Sequence, residues 1–226
     1  MSRWEIRLAI ALIGVLVAPA MAVTAQATPF VAASEVTASS ALASLPVKGR
    51  APKTGYTRAQ FGQTWADVDR NGCDTRNDML KRDLTEIVYK VKTRNCVVES
   101  GILLDRYSGE TINFVRGNVT SMEVQIDHVV ALSNAWQTGA FKLSVTQRTA
   151  LANDPMNLIA VKGRLNSQKG DGDAATWLPP LKSFRCTYVA QQIAVKAKYS
   201  LWVTAPEKEA MARILSSCPK QLLPTA

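Results

Sequence analysis

The chain has 226 residues, a net charge of +9, four cysteines and a single histidine. One histidine and no Cys-x-x-Cys pair argue against a structural zinc site, which takes four cysteine or histidine ligands. Apart from one short run near the N-terminus, no apolar stretch approaches the length of a bilayer span, which excludes a multi-span membrane protein.

The first 27 residues have the features of an export signal. Two arginines precede an apolar run from Leu8 to Ala20, which is too short to span a bilayer comfortably. Small residues give two candidate cleavage sites, after Ala22 and after Ala27. The alternative is an uncleaved anchor. We therefore predict a signal peptide over residues 1–27 and a secreted, extracellular protein with no stable membrane insertion after cleavage.

Residues 28–55 are rich in alanine, serine, threonine, valine and proline and carry few charges. This composition predicts a flexible linker or propeptide. Residues 56–220 are long enough to form one domain with its own core, and residues 221–226 are then a C-terminal tail. We expect the mature protein to be a monomer.

The charge of the mature chain stays strongly positive. Residues 1–27 contribute +1, so about +8 remains after removal of the signal. A basic secreted domain suits an anionic partner such as nucleic acid. A surface that binds anionic cell envelopes is equally consistent with charge alone.

Four cysteines in an exported chain favour disulfides, and four cysteines allow three pairings. We predict the two local bridges, Cys73–Cys96 and Cys186–Cys218, which close short loops before and after residues 123–173. Each bridge would stabilise the fold by about 3 kcal/mol through loop closure.

Between the first two cysteines and residue 123, the pattern predicts one helix and two strands. Asp74 is a good N-cap for a helix that runs to about Leu84. Short strands are predicted from Val97 to Leu104 and from Glu110 to Val115, around a turn containing Gly109. Arg76 is a candidate phosphate ligand, since a guanidinium contacts two phosphate oxygens at once. The alternative is that it forms only surface ion pairs.

Residues 123–173 contain the most informative chemistry. An alternating segment ends in Asp127-His128, and Asn157, Asn166 and Lys169 follow. Hydrolysis of a phosphodiester needs a base that works near neutral pH, which suits the histidine. It also needs a cation at the phosphate, and a carboxylate with an amide oxygen can hold a hard divalent ion. Neighbouring strand residues point to opposite faces, so Asp127 and His128 converge only where the strand ends or bends.

These residues resemble the HNH, or ββα-metal, nucleases. The runs Ile126-Asp127-His128-Val129-Val130 and Asn166-Ser167-Gln168-Lys169, with Asn157 between them, carry the resemblance. Within that superfamily the chain is similar to secreted bacterial proteins related to the C-terminal nuclease domain of GmrSD restriction enzymes. The strict motif covers roughly 50 residues, and the likeness extends from about Tyr56 over most of the chain.

The resemblance implies a role for each motif residue. Asp127 and Asn166 match metal ligands, His128 matches the general base, and Asn157 matches the asparagine that braces the histidine loop. Some members have histidine at the last metal position, where this chain has Asn166. We expect one divalent ion, with magnesium first and manganese, calcium or zinc as alternatives. Two further expectations are a water-mediated metal contact from Glu123 and phosphate binding by Lys169.

The rest of the chain is predicted to be helical around a short second strand, Leu158–Val161. Helices are expected at Leu132–Thr138, after a capping box that begins at Ser144, at Tyr188–Leu201 and at Pro206–Leu215. The expected fold is therefore α+β, with a ββα-metal core embedded in a mostly helical, disulfide-bonded domain.

The sequence thus predicts a secreted metal-dependent endonuclease that acts on nucleic acid, with DNA favoured. Two alternatives stay open. One is a basic module that binds nucleic acid or cell envelope without cutting, and the other is a metal-dependent ribonuclease.

Overall fold

A computed structural model describes residues 36–117 and 120–224, which lie in one compact unit. The predicted signal peptide lies outside the described residues. The described helices are α1 (Ala38–Ser44), α2 (Thr75–Asp83), α3 (Leu132–Gln137), α4 (Val145–Ala152), α5 (Gly163–Lys169), α6 (Arg185–Lys198) and α7 (Ala205–Leu215). The described strands are β1 (Leu84–Tyr89), β2 (Val98–Leu104), β3 (Thr111–Val115), β4 (Val124–His128) and β5 (Leu158–Lys162).

The strands form two small antiparallel sheets. One sheet has the order β1-β2-β3, and the other pairs β4 with β5. In the second sheet His128 lies opposite Leu158 and Val124 lies opposite Lys162. Helix α2 packs between the two sheets, against β5, β2, β1 and β4. The expected α+β fold, in which small sheets are carried within a helical and disulfide-bonded domain, is confirmed.

Most predicted elements are present near their predicted bounds. Asp74 caps α2 by accepting a hydrogen bond from the backbone N–H of Asn77, and Ser144 begins α4 through the predicted capping box. Strand β1 was not predicted. It begins at Leu84, directly after the last residue of α2, so no turn residue separates the two elements.

Both predicted disulfides are formed, and the described residues contain no free cysteine. Cys73–Cys96 ties the start of α2 to the loop between β1 and β2. Cys186–Cys218 ties the start of α6 to the end of α7, as expected for two antiparallel helices.

The prediction of a flexible linker over residues 28–55 is wrong for the part that the structure describes. Helix α1 packs into the core, and three of its residues and its C-cap residue form one apolar stripe at helical spacing: Ala38, Ala41, Leu42 and Leu45. Composition suggested a linker because alanine and serine dominate, whereas the spacing of the larger apolar residues predicts an amphipathic helix. Residues 28–35 lie outside the described part.

The predicted C-terminal tail is also packed as far as residue 224. Thr37 pairs with Leu222 in an isolated bridge, and Leu223 packs against the same core as α1. The backbone N–H of Ala38 donates to the carbonyl of Gln221 at 2.8 Å. The folded unit therefore extends beyond the predicted limits of residues 56–220 at both ends.

Candidate active site

The three elements of the predicted ββα core are β4, β5 and α5. Helix α5 begins directly after β5, so a residue of its second turn lies beside the end of β4. Gly163, the first residue of α5, allows the helix to pack directly against the backbone of Met122, which precedes β4. A Cβ at this position would lie 1.9 Å from the carbonyl oxygen of Met122, so any larger residue would push the helix away from the strand.

An open cleft of about 570 Å³ lies over this junction. Asp127, His128 and Asn166 all face it. The other lining residues include three cations and two aromatic rings from outside the core motif: Lys53, Arg58, Arg76, Tyr56 and Trp65. The predicted convergence of Asp127 and His128 is therefore present, and it occurs where β4 ends.

The hydrogen bond made by His128 fixes its tautomer. Its Nε2 lies 2.8 Å from the carbonyl oxygen of Ala152, the last residue of α4. A carbonyl only accepts hydrogen bonds, so Nε2 carries the proton and Nδ1 keeps its lone pair. The indole of Trp65 stacks on the imidazole, with ring centroids 6.1 Å apart. The free atom that can accept a proton is therefore Nδ1.

Burial keeps this histidine neutral. Burial, with a smaller contribution from the positive charges of Arg58 and Lys169, lowers the pKa of His128 from 6.5 to about 3, although the hydrogen bond to the Ala152 carbonyl acts in the opposite direction. A neutral imidazole is the form that can accept a proton, so His128 is available as a proton acceptor at neutral pH.

Asn157 holds the loop that follows His128. Its Oδ1 accepts a hydrogen bond from the backbone N–H of Val130 at 2.8 Å, and its Nδ2 donates to the carbonyl of Leu151 at 3.2 Å. The side chain is fully buried and does not line the cleft. Asn157 therefore occupies a bracing position and acts on the site only through the loop it holds.

Asp127 is held by two donors. The hydroxyl of Tyr107 donates to Oδ2 at 2.6 Å, and the ammonium of Lys169 donates to Oδ1 at 3.0 Å. Burial and the negative charge of Asp127 raise the pKa of Tyr107 well above its usual value, so the phenol stays protonated and continues to donate. These bonds fix the carboxylate at the cleft wall.

Lys169 is not placed as predicted. Its side chain is fully buried, and besides Asp127 it donates to the carbonyl of His128 at 2.8 Å. Lys169 lies three residues after Asn166 on α5, and its side chain is buried in the interior, so it cannot reach a phosphate in the cleft. The lysine instead neutralises Asp127 and ties α5 to the end of β4.

Asn166 presents an amide oxygen to the cleft. Its Nδ2 donates to Oε1 of Gln125 at 2.8 Å, which leaves its Oδ1 without a hydrogen bond from any described residue. A carboxylate oxygen has two lone-pair directions, so Asp127 keeps acceptor capacity beyond its two donors. One carboxylate and one amide oxygen beside an open cleft are a donor set that fits a hard divalent cation with several bound waters.

The structure does not bring Glu123 to the site. It lies in the turn before β4, is exposed, and does not line the cleft. Gln125, two positions before Asp127 on β4, does line the cleft. Among residues 36–117 and 120–224 no cluster of three or more histidine, cysteine or acidic residues is placed to hold a metal.

Arg76, which was predicted to bind phosphate, lies on α2 and lines the cleft. One of its N–H groups lies 3.4 Å from the carbonyl of Val124, and the side chain is half-buried. Arg58, Trp65 and Tyr107 were missed. The first two come from an irregular segment that approaches His128 only in the folded chain, and Tyr107 lies two residues before Gly109 in the predicted turn, so local spacing gave no signal for any of them.

Comparison with known proteins assigns the chain to a family. The family described as GmrSD restriction endonucleases, C-terminal domain, matches residues 74–214. A curated relative from Arthroderma benhamiae, named an uncharacterized secreted protein, is 39% identical over 187 residues, which cover 82% of this chain and 86% of the relative. No solved structure matches the chain. The cleft residues Arg58 and Trp65 come before the part of the chain that this family matches.

Proposed function

We propose, from the premise that this chain belongs to the family of GmrSD restriction endonuclease C-terminal domains, that it is a metal-dependent nuclease that cuts DNA. The observation that carries the proposal is the geometry at the end of β4. His128 lines the cleft with its Nε2 committed to the Ala152 carbonyl, which leaves Nδ1 free to accept a proton, and Asp127 and Asn166 line the same cleft. The protein is secreted, which agrees with its secreted relative and with two disulfides.

The proposed base is His128. Nδ1 accepts a proton from a water that attacks the phosphorus, and the Ala152 carbonyl holds the ring as its charge rises. Trp65 covers one face of the imidazole and restricts the approach of water to the cleft side. Asn157 acts as a positioning residue, because it fixes the loop that carries the histidine.

Asp127 and Asn166 are the residues that would hold the ion. A divalent cation there would neutralise charge on the phosphate and on the leaving oxygen. The buried Lys169 reduces the net negative charge of the donor pair, so we expect weak binding of a hard ion, with magnesium first. Arg76 and Arg58 line the cleft, and in this proposal their guanidinium groups contact the phosphate.

The preference for DNA rests on the single histidine. Metal-free ribonucleases commonly use two acid–base groups and the RNA 2′-hydroxyl, whereas this cleft offers one imidazole beside a carboxylate and an amide. A metal-dependent mechanism does not need the 2′-hydroxyl. Charge favours nucleic acid in general, since Arg58, Arg76 and Lys53 all line the cleft.

The test is incubation of the mature protein with plasmid DNA and with RNA, with magnesium or with excess chelator. We expect DNA cleavage that requires the ion and that His128→Ala reduces by several orders of magnitude. Lys182→Ala, an exposed change away from the cleft, is the control and should keep full activity. Cleavage that persists in chelator would refute the metal, and tight DNA binding without cleavage would support the non-catalytic module instead.

A further inference from the structure

The loop between β1 and β2 carries three cations on its surface. Lys90, Lys92 and Arg94 are exposed and form no ion pair within the described part of the chain. Val91, between the two lysines, is 79% exposed. None of these residues lines the cleft, and the proposed reaction does not use them.

This loop is held in one conformation. Cys96 at its end is bonded to Cys73, the backbone N–H of Lys90 donates to the carbonyl of Val97, and the Thr93 hydroxyl donates to the carbonyl of Lys90. Lys92 and Arg94 have φ values of 63° and 53°, in the left-handed region that side chains other than glycine rarely adopt. Surroundings that enforce such angles hold the backbone that carries the three cations in one conformation.

The sheet register places a fourth cation beside this loop. Ser100 pairs with Val115, and the next backbone bond joins the N–H of Arg116 to the carbonyl of Glu99, so Arg116 lies at the same end of the sheet as the loop. The Arg116 side chain is fixed, since its Nε donates to the carbonyl of Val98 and its Nη2 to Oδ1 of Asn77, each at 2.6 Å.

Arg116 connects this sheet end to the cleft. Asn77, which it contacts, follows the cleft residue Arg76 on α2. Burial is the largest cause that lowers the pKa of Arg76, and the positive charge of the nearby Arg116 guanidinium is the second. Two like charges held together by neutral partners gain stability when an anion lies between or beside them.

The carboxylates near this region accept hydrogen bonds from neutral groups and form no ion pair with the four cations within the described part of the chain. Asp67 and Asp69 accept hydrogen bonds from backbone groups of their own loop, and Asp74 caps α2. Asp69 and Asp78 face a separate depression that also contains Arg82. Glu99 is the acidic residue that shares the sheet end with the four cations.

We propose that Lys90, Lys92, Arg94 and Arg116 form a binding surface for the nucleic-acid backbone beyond the phosphate that is cut. This basic sheet end continues the line of charge that begins at Arg58 and Arg76 in the cleft, so one strand can contact both. The inference rests on the proposed function, because it takes nucleic acid as the ligand. Its partner chemistry is a regular array of phosphates, which matches a row of cations without ion-pair partners on a loop whose backbone is constrained.

The test compares two variants with equal loss of charge and equal composition. The loop variant is Lys90→Gln, Lys92→Gln and Arg94→Gln. The control variant is Lys182→Gln, Arg213→Gln and Lys220→Gln, which changes two lysines and one arginine that are exposed, unpaired and absent from the cleft lining. Thermal unfolding and a free-thiol assay establish that both variants fold with their disulfides intact.

Binding to a 30-base-pair DNA duplex is measured by fluorescence anisotropy in chelator, over a range of salt concentrations. Each phosphate contact contributes about 0.9 to the slope of log affinity against log salt, so loss of three contacts should reduce the slope by about 2.7. Affinity of the loop variant at 0.1 M salt should fall on the order of 100-fold, while the control keeps the wild-type slope.

Equal slopes for the loop variant and wild type would overturn the proposal, as would an equal loss in the control variant or no binding of the duplex by wild type. Failure of the nuclease proposal is separate. A wild-type protein that shows the predicted slope but never cuts DNA with magnesium would keep the binding surface and lose the catalytic function. A protein that cuts DNA while the loop variant binds normally would lose only the binding surface.

Discussion

Replacement of Asp127 tests the protein's stability as much as its chemistry. The carboxylate pairs with Lys169, whose side chain is fully buried, and the carboxylate side chain is itself only 5% exposed. Asp127→Ala would leave the ammonium in the interior with the carbonyl of His128 as its remaining partner at 2.8 Å. A variant of this kind would lose activity even if Asp127 never touched a metal.

The expected cost follows from the burial of the pair. Removing one partner of a buried ion pair typically destabilises a protein by about 3–5 kcal/mol, because an uncompensated charge remains. Asp127→Ala also removes the acceptor of the Tyr107 hydroxyl, which places the effect at the upper end. The double variant Asp127→Ala with Lys169→Met removes both charges, so most of the stability should return.

The assay is urea unfolding of wild type, both single variants and the double variant, with disulfides intact. Each single variant should lose about 3–5 kcal/mol and the double variant clearly less than the sum. Magnesium-dependent cleavage by the double variant should be absent although it folds. Single variants as stable as wild type to within about 1 kcal/mol would refute the buried-pair account.

Three further predictions concern the remaining buried polar groups. The pKa of His128 is lowered from 6.5 to about 3, so protonation favours the unfolded chain. In metal-free buffer, the contribution of neutral His128 to the free energy of unfolding should be fully present above pH 6.5 and should fall by about 1.4 kcal/mol per pH unit below it. The variant His128→Gln, which leaves no histidine in the chain, should lack this slope in urea unfolding. Lys196→Met should cost about 3–5 kcal/mol, because Glu207 would stay buried without its partner at 2.8 Å, and adding Glu207→Gln should restore most of the loss in thermal unfolding. Asn157→Ala should lower stability by about 1–3 kcal/mol by orphaning the Val130 N–H, and should reduce cleavage without changing DNA affinity, which anisotropy and a plasmid assay would check.

The motif residues were identified by their resemblance to HNH nucleases, and their positions along the chain explain why they line one cleft. Asp127 and His128 end a strand with clear alternation, and Asn166 follows β5 by a few residues. The two disulfides were predicted because each closes a short loop, and both are formed.

The residues that surround this core could not be predicted in the same way. Arg58 and Trp65 reach His128 through tertiary packing of an irregular segment, and Tyr107 reaches Asp127 from a turn 20 residues away. Lys169 was assigned to phosphate because it is charged and near the motif, but its position on α5 directs it into the interior. Helix α1 was missed because composition was weighed above the spacing of its apolar residues.

The most direct test of the central claim is single-turnover cleavage of plasmid DNA as a function of magnesium, with wild type and with His128→Ala. We expect wild type to cut only with the ion, and we expect the variant to bind both magnesium and DNA normally while cutting several orders of magnitude more slowly. Near-wild-type cleavage by His128→Ala, or equal cleavage by wild type in excess chelator, would contradict this claim.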